Sequence, residues 1–147
     1  MISWPQAVVV PALLAMVVGS AAAQEDGSRG GSTLDGAFTA GQARRGADTY
    51  RRHCTECHVP AAVSGAAFRR AWAGRTVFDY FELLRTTMPL DNPGRLNRGQ
   101  YADLVAYLLQ LSGMPAGDRP LPSNDDALKA IRIEAAAAAT DTSGVRP

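Results

Sequence analysis

The sequence predicts a single all-α domain, and two features of its 147 residues carry that prediction. Apolar residues recur at three- and four-residue spacing in three segments, and each segment begins at a Thr or an Asn that suits a helix N-cap. No stretch alternates between apolar and polar residues as a half-buried strand would. We therefore expect about four to five helices and no sheet.

The first helix is predicted between Thr39 and His53, because Thr39 and Gln42 match the capping box that satisfies the first free N–H groups. Phe68 and Trp72 lie four positions apart, which places them on one face of a second, shorter helix.

The third helix is predicted from Thr76 to about Thr87. It has to end there because Pro89 disfavours helical backbone for the residue before it, Met88. Met88 is therefore expected on an extended segment between two helices. The apolar face of this helix comprises Val77, Phe78, Phe81 and Leu84.

The fourth helix begins at Asn97 and is predicted to end at Gly113, a natural C-cap. A Pro- and Gly-rich arm follows, and Ser123 or Asn124 is expected to cap a short last helix that ends near Glu134. The apolar face of the fourth helix comprises Tyr101, Leu104, Val105, Leu108 and Leu111.

The N-terminal segment has most features of an export signal. Residues 7–23 are apolar or small throughout and end in three alanines, which suits signal peptidase. The run is shorter than the ~20 apolar residues that a membrane-spanning helix needs. It lacks the usual basic start, so an uncleaved membrane anchor stays open as the alternative. With either outcome we expect the domain outside the cytoplasm, in the bacterial periplasm.

The amino-acid composition changes on either side of the predicted helices. A stretch rich in Gly, Ser and Asp follows the export signal, and a run of alanines opens the C-terminal tail. The predicted regions are a signal peptide at 1–23, a flexible leader at 24–37, a folded domain at 38–134 with a core at 38–113 and an arm at 114–134, and a disordered tail at 135–147.

The strongest chemical signal is the pentapeptide Cys54-Thr55-Glu56-Cys57-His58. Two thiols three positions apart on one turn can each add across a vinyl group of the same haem, and the adjacent imidazole then faces the iron. The motif indicates one covalently attached haem c, held by Cys54 and Cys57, with His58 as an axial ligand of the iron.

Three other interpretations of this motif compete with haem. A structural zinc site needs about four ligands, and outside the motif the chain offers only His53 and no further Cys. A redox-active thiol pair of the thioredoxin type is expected between a strand and a helix, whereas a predicted helix precedes this motif. A plain structural disulfide would not need His58.

The opposite side of the iron needs a second ligand, and two methionines are candidates. Met88 is held extended by Pro89, so its sulfur can reach across an open haem face. Met114 follows the end of the fourth helix and is the weaker candidate, and the alternative for either residue is a core-filling role. His53 adjoins Cys54 and cannot reach the opposite face.

These residues resemble those of the class I cytochromes c over about residues 38 to 113. In that family a Gly and an aromatic residue precede the first haem Cys and meet an aromatic residue of the C-terminal helix, and Gly46, Tyr50 and Tyr107 match them. A Gly lets two helices cross closely, so we expect these three to be scaffold. The resemblance implies the class I cytochrome c fold, with the helices wrapped around one haem.

A looser resemblance connects the chain to the small monohaem cytochromes associated with quinoprotein dehydrogenases, which use pyrroloquinoline quinone (PQQ). It rests on Trp72-Ala73-Gly74, the segment 76–89 and the arm at 113–121. It implies redox protein partners, namely a PQQ-dependent dehydrogenase and an oxidase or another cytochrome. The net charge of +1 gives no electrostatic case for nucleic acid, and membrane contact is expected only if the signal segment is retained.

Two further residues are candidates for haem binding. The indole N–H of Trp72 and the guanidinium of Arg75 suit the carboxylates of haem propionates. The alternatives are a core tryptophan and a solvated arginine.

The expected function is the transfer of single electrons and not enzymatic catalysis, because a His and a Met together leave the iron no open position for a substrate. We expect a monomer or an enzyme subunit. One alternative is a haem-bearing subunit docked permanently on a dehydrogenase through the arm. The other, which requires that Met88 is not bound, is a ligand-binding haem sensor or a peroxidase.

Overall fold

The computed structural model describes Met1 and residues 31–134, so the predicted signal peptide beyond Met1, the first part of the leader and the tail lie outside the described residues. The described residues are mainly helical, which confirms the all-α fold class. The elements are β1 (Gly31–Ser32), α1 (Ala40–His53), α2 (Gly65–Trp72), α3 (Val77–Thr87), α4 (Arg98–Leu111), α5 (Asp125–Lys129) and β2 (Ile131–Arg132), with 3-10 turns at Thr33–Asp35 and Pro60–Ala62. None of these five helices has the length and apolarity that crossing a bilayer requires.

Each of the three long helices begins at a complete capping box. The cap side chain accepts a hydrogen bond from the backbone N–H three positions on, and the side chain at that position accepts one from the cap's own N–H. These bonds fix the helix starts where the sequence predicts them. The pairs are Thr39–Gln42, Thr76–Asp79 and Asn97–Gln100.

The closest packing of two helices occurs where α1 crosses α4 at Gly46. A Cβ atom on Gly46 would lie 1.9 Å from the carbonyl oxygen of Asp103 and 2.8 Å from Cβ of Tyr107. The rings of Tyr50 and Tyr107 flank the crossing with centroids 5.6 Å apart. Arg45 adds a bidentate ion pair to Asp103 with N···O distances of 2.7 and 2.8 Å. The predicted scaffold of one glycine and two aromatic residues is confirmed.

The hydrophobic core is centred on α4. Leu111, predicted on the apolar face, is 39% exposed because α4 ends there, which corrects that prediction. The other predicted members of the face are buried, namely Tyr101, Leu104, Val105 and Leu108.

Residues 31–37 belong to the folded domain, which corrects the leader predicted at 24–37. β1 pairs in parallel with β2, so Gly31 lies beside Ile131. The buried Thr33 accepts a hydrogen bond from the backbone N–H of Glu134 at 3.1 Å. These contacts join two ends of the described chain, and strands of two residues are too short for any alternating pattern to reveal them.

The arm after α4 packs against its own domain. Its apolar side chains enter the core, and the buried amide of Gln42 forms two hydrogen bonds with the backbone of Leu121 at 2.9 and 2.6 Å. The last helix begins after the cap Asn124 but ends at Lys129 and not near Glu134, because the chain then turns into β2. The buried arm residues are Met114, Leu121, Leu128 and Ile133.

Replacing Gly46 with Ala is predicted to lower the free energy of unfolding by about 1–3 kcal/mol, because the new methyl group pushes α1 away from α4. Gly41→Ala is the matched control, since its Cβ would meet nothing closer than 3.7 Å. That variant should be as stable as the wild type or slightly more stable. Urea denaturation of the holoprotein measures both changes. Equal stability of Gly46→Ala and wild type would contradict the close crossing.

Candidate functional site

The pentapeptide 54–58 forms a turn that continues directly from α1. The backbone N–H groups of Cys57 and His58 both donate to the carbonyl of Cys54, at 3.2 and 2.8 Å. The hydroxyl of Tyr50 donates to the carbonyl of His58 at 3.1 Å and ties the turn back to the helix. Burial, with smaller contributions from Cys54 and Tyr107, raises the pKa of Tyr50 to about 12, so its hydroxyl stays a neutral donor at neutral pH.

A cavity of about 1000 Å³ opens beside this turn. Cys54, Cys57 and His58 line one part of its wall, and Met88, at the extended residue after α3, lines another. The remainder is largely apolar, with side chains of α2, α3 and α4. The fold therefore brings both thiols, the imidazole and the thioether around one space.

Met114 and His53, the other residues considered as iron ligands, have other surroundings. Met114 is 3% exposed and packs in the core, and it is not among the residues that line the cavity. His53 lines the cavity at the last residue of α1, where its Nδ1 lies 2.7 Å from a guanidinium nitrogen of Arg95. These positions leave Met88 as the methionine that faces the same space as His58.

The described residues also bear on the competing interpretations of the pentapeptide. Cys54 and Cys57 form no disulfide bond with each other. Burial raises the pKa of the Cys54 thiol, whereas a redox-active pair needs a lowered one. In the described part of the chain no group of three or more His, Cys, Asp and Glu side chains is arranged to hold a metal ion. A zinc site and a thioredoxin-type pair both lack support from this geometry.

Trp72 and Arg75, the predicted propionate partners, lie in different surroundings. Trp72 is half-buried and lines the cavity, and its indole N–H donates no hydrogen bond within the described residues. Arg75 is exposed, is not among the lining residues, and stacks on Trp72 with its guanidinium carbon 4.9 Å from the ring centroid. Contact of either side chain with a propionate stays a prediction.

Two tyrosines of this region have roles that the sequence did not predict. Tyr80 is 4% exposed and lines the cavity, its hydroxyl has no partner among the described residues, and burial keeps it neutral by raising its pKa. Tyr101 is fully buried, and its hydroxyl donates to the carbonyl of Met88 at 2.7 Å. A tyrosine in an apolar helix face is the only available signal, since its hydroxyl needs a partner when buried.

Comparison with known proteins adds one match. Residues 41–108 match the family model described as cytochrome C oxidase, cbb3-type, subunit III, which is a c-type cytochrome domain. Residues 41–108 therefore form a class I c-type cytochrome domain. No curated protein and no solved structure matches the chain significantly.

The cofactor of this cytochrome is haem c, and the cavity fits that group. Its volume lies at the upper end of the range typical of cofactor sites. Its wall combines apolar side chains, which suit the faces of a porphyrin, with the thiols of Cys54 and Cys57, which suit covalent attachment. His58 adds an imidazole nitrogen that suits iron.

The pKa of His53 is predicted to lie below its ordinary value of 6.5 in the folded cytochrome, because burial and the nearby charges of Arg95 and Arg52 disfavour the imidazolium. The unfolded chain therefore keeps a proton on His53 up to a higher pH than the folded chain does. As a result, the contribution of His53 to the free energy of unfolding increases as the pH rises toward 6.5. Arg95→Gln should raise the pKa. Arg51→Gln should leave it unchanged, since Arg51 pairs with Asp48.

NMR titration of the His53 ring in the reduced holoprotein measures its pKa, as the midpoint of the titration, in the wild type and in both variants. A midpoint above 6.5 in the wild type, or one that Arg95→Gln leaves unmoved, would contradict the electrostatic account.

Proposed function

We propose that this cytochrome is a periplasmic carrier of single electrons in which His58 and Met88 would both bind the haem iron. The observation that carries the proposal is that both side chains line one cavity together with Cys54 and Cys57. Imidazole and thioether are a ligand pair that c-type cytochromes use for electron transfer. The exported context expected from the N-terminal segment supports a periplasmic location.

Each residue of the site has a separate task in this function. When bound, the haem supplies a one-electron iron couple. The thiols of Cys54 and Cys57 would hold it covalently, His58 would provide a nitrogen ligand, and Met88 would provide a soft sulfur ligand that favours the reduced iron. With both ligands bound, no position is left for a substrate. The apolar wall keeps water away and disfavours the extra charge of the oxidised state.

The mouth of the cavity is the proposed place where electrons enter and leave. Cys57 is exposed there, and Leu90, also in the cavity wall, is 79% exposed. Val59, next to His58, is 66% exposed. Exposed apolar side chains around a redox centre suit the small, short-lived contacts of electron-transfer partners. We propose a PQQ-dependent dehydrogenase as the donor and an oxidase or another cytochrome as the acceptor, on the basis of the looser resemblance.

A second candidate function is a haem-bearing subunit held in a larger enzyme. The matched family description, which names a subunit of a cbb3-type oxidase, favours it. The arm gives it no support, because Met114, Leu121, Leu128 and Ile133 are already buried in the cytochrome's own core. Gel filtration of the native periplasmic fraction separates the two candidates: a free shuttle elutes at the size of one chain, and a subunit elutes with a larger enzyme.

Replacing Met88 with Leu is predicted to remove the weak far-red band that marks methionine sulfur bound to ferric haem iron, and to lower the reduction potential. Met114→Leu is the matched control, because the same volume-conserving change in the core should leave the band intact. Optical spectra of the oxidised and reduced holoproteins measure both effects. A high-spin wild-type spectrum without the band would exclude Met88 and favour a sensor or peroxidase. Loss of the band only in Met114→Leu would identify Met114 as the ligand.

A further inference from the structure

The hydroxyl of Tyr101 bonds to the backbone at two points of the surface segment 88–96. It donates to the carbonyl of Met88 at 2.7 Å and accepts a hydrogen bond from the backbone N–H of Gly94 at 3.1 Å. The side chain itself is fully buried, and its ring packs edge-on against Phe81 with centroids 6.1 Å apart. Because α4 belongs to the core, this hydroxyl is a fixed point.

The segment that it holds has few other attachments. Pro89 and Leu96 are buried at its two ends, but residues 90–95 are all exposed. The backbone N–H of Met88 also donates to the carbonyl of Leu84 in the last turn of α3. Within the described residues, the one further hydrogen bond from this segment to the rest of the protein joins Arg95 to His53.

The bonds of Tyr101 and the bond between Arg95 and His53 differ in their expected contribution to stability. The bond between Arg95 and His53 lies at the surface, where side-chain entropy and solvent reduce its contribution. The bonds of Tyr101 are made by a buried hydroxyl to backbone groups, and removing it leaves a carbonyl and an N–H unpaired. Beyond the bond of Met88 to α3, Tyr101 is therefore the stronger attachment of this segment to the rest of the protein.

We propose that Tyr101 is the positioning residue of Met88, and that its hydroxyl holds the methionine against the haem iron by closing the segment 88–94 onto α4. This inference rests on Met88 being the ligand. Loss of the hydroxyl makes the sulfur leave the iron more often, and the folded domain stays intact because the ring still fills its place in the core.

The test compares Tyr101→Phe with Tyr107→Phe in the holoprotein. Both variants remove one hydroxyl from α4, but the hydroxyl of Tyr107 makes no hydrogen bond within the described residues and lies at the helix crossing. Imidazole is added to the ferric protein, where it binds only after methionine has left the iron. Tyr101→Phe should bind it about tenfold faster than wild type, a factor within the range expected when one hydroxyl loses its hydrogen bonds. As the pH is raised, Tyr101→Phe should also lose the far-red band at a lower pH than the wild type does. Tyr107→Phe should match the wild type in both measurements.

Failure of this inference and failure of Met88 as the ligand give different results. A far-red band in the wild type with unchanged imidazole binding in Tyr101→Phe overturns the role of Tyr101 and leaves Met88 in place. A wild type without the band overturns both. If Tyr101→Phe does not fold, amide exchange in the reduced wild type decides: a protected Gly94 N–H supports the proposal, and exchange at the unprotected rate overturns it.

Discussion

The close crossing of α1 and α4 at Gly46 is the constraint on which the rest of the site depends. It leaves no room for a Cβ atom, because the carbonyl of Asp103 would lie 1.9 Å away. The pentapeptide with both thiols and His58 continues from the end of α1, and α4 carries the tyrosine that holds Met88. The two sides of the haem cavity are thus attached to two helices whose separation is set at a single glycine.

Each proposed iron ligand is held at its backbone carbonyl by a tyrosine from one of these helices. Tyr50 of α1 donates to the carbonyl of His58, and Tyr101 of α4 donates to that of Met88. The raised pKa of Tyr50, about 12, keeps the proton on its hydroxyl at neutral pH, so this residue adds no charge to the cavity. An apolar cavity can thereby hold both ligand residues in position, while the polar side chains of Arg95 and His53 also line it and bond to each other at the surface.

Much of this arrangement is local in sequence and could be predicted from it. Capping boxes fix the starts of α1, α3 and α4, Pro89 ends α3, and the pentapeptide carries its own chemistry. The missed features depend on contacts between distant residues. Gly31 meets Ile131 through two-residue strands, and the hydroxyl of Tyr101 finds the carbonyl of Met88 only after the fold has formed. The 39% exposure of Leu111 likewise arises because α4 ends at this residue, which the spacing of the apolar residues does not reveal.

The proposed function requires His58 and Met88, which line one cavity, to bind the same iron. X-ray absorption at the iron edge of the oxidised holoprotein tests it most directly, because scattering distinguishes sulfur from nitrogen neighbours. We predict one sulfur ligand and otherwise nitrogen ligands, with the sulfur lost in Met88→Leu. A wild-type iron surrounded by nitrogen or oxygen alone, or a sulfur that persists in Met88→Leu, would contradict it.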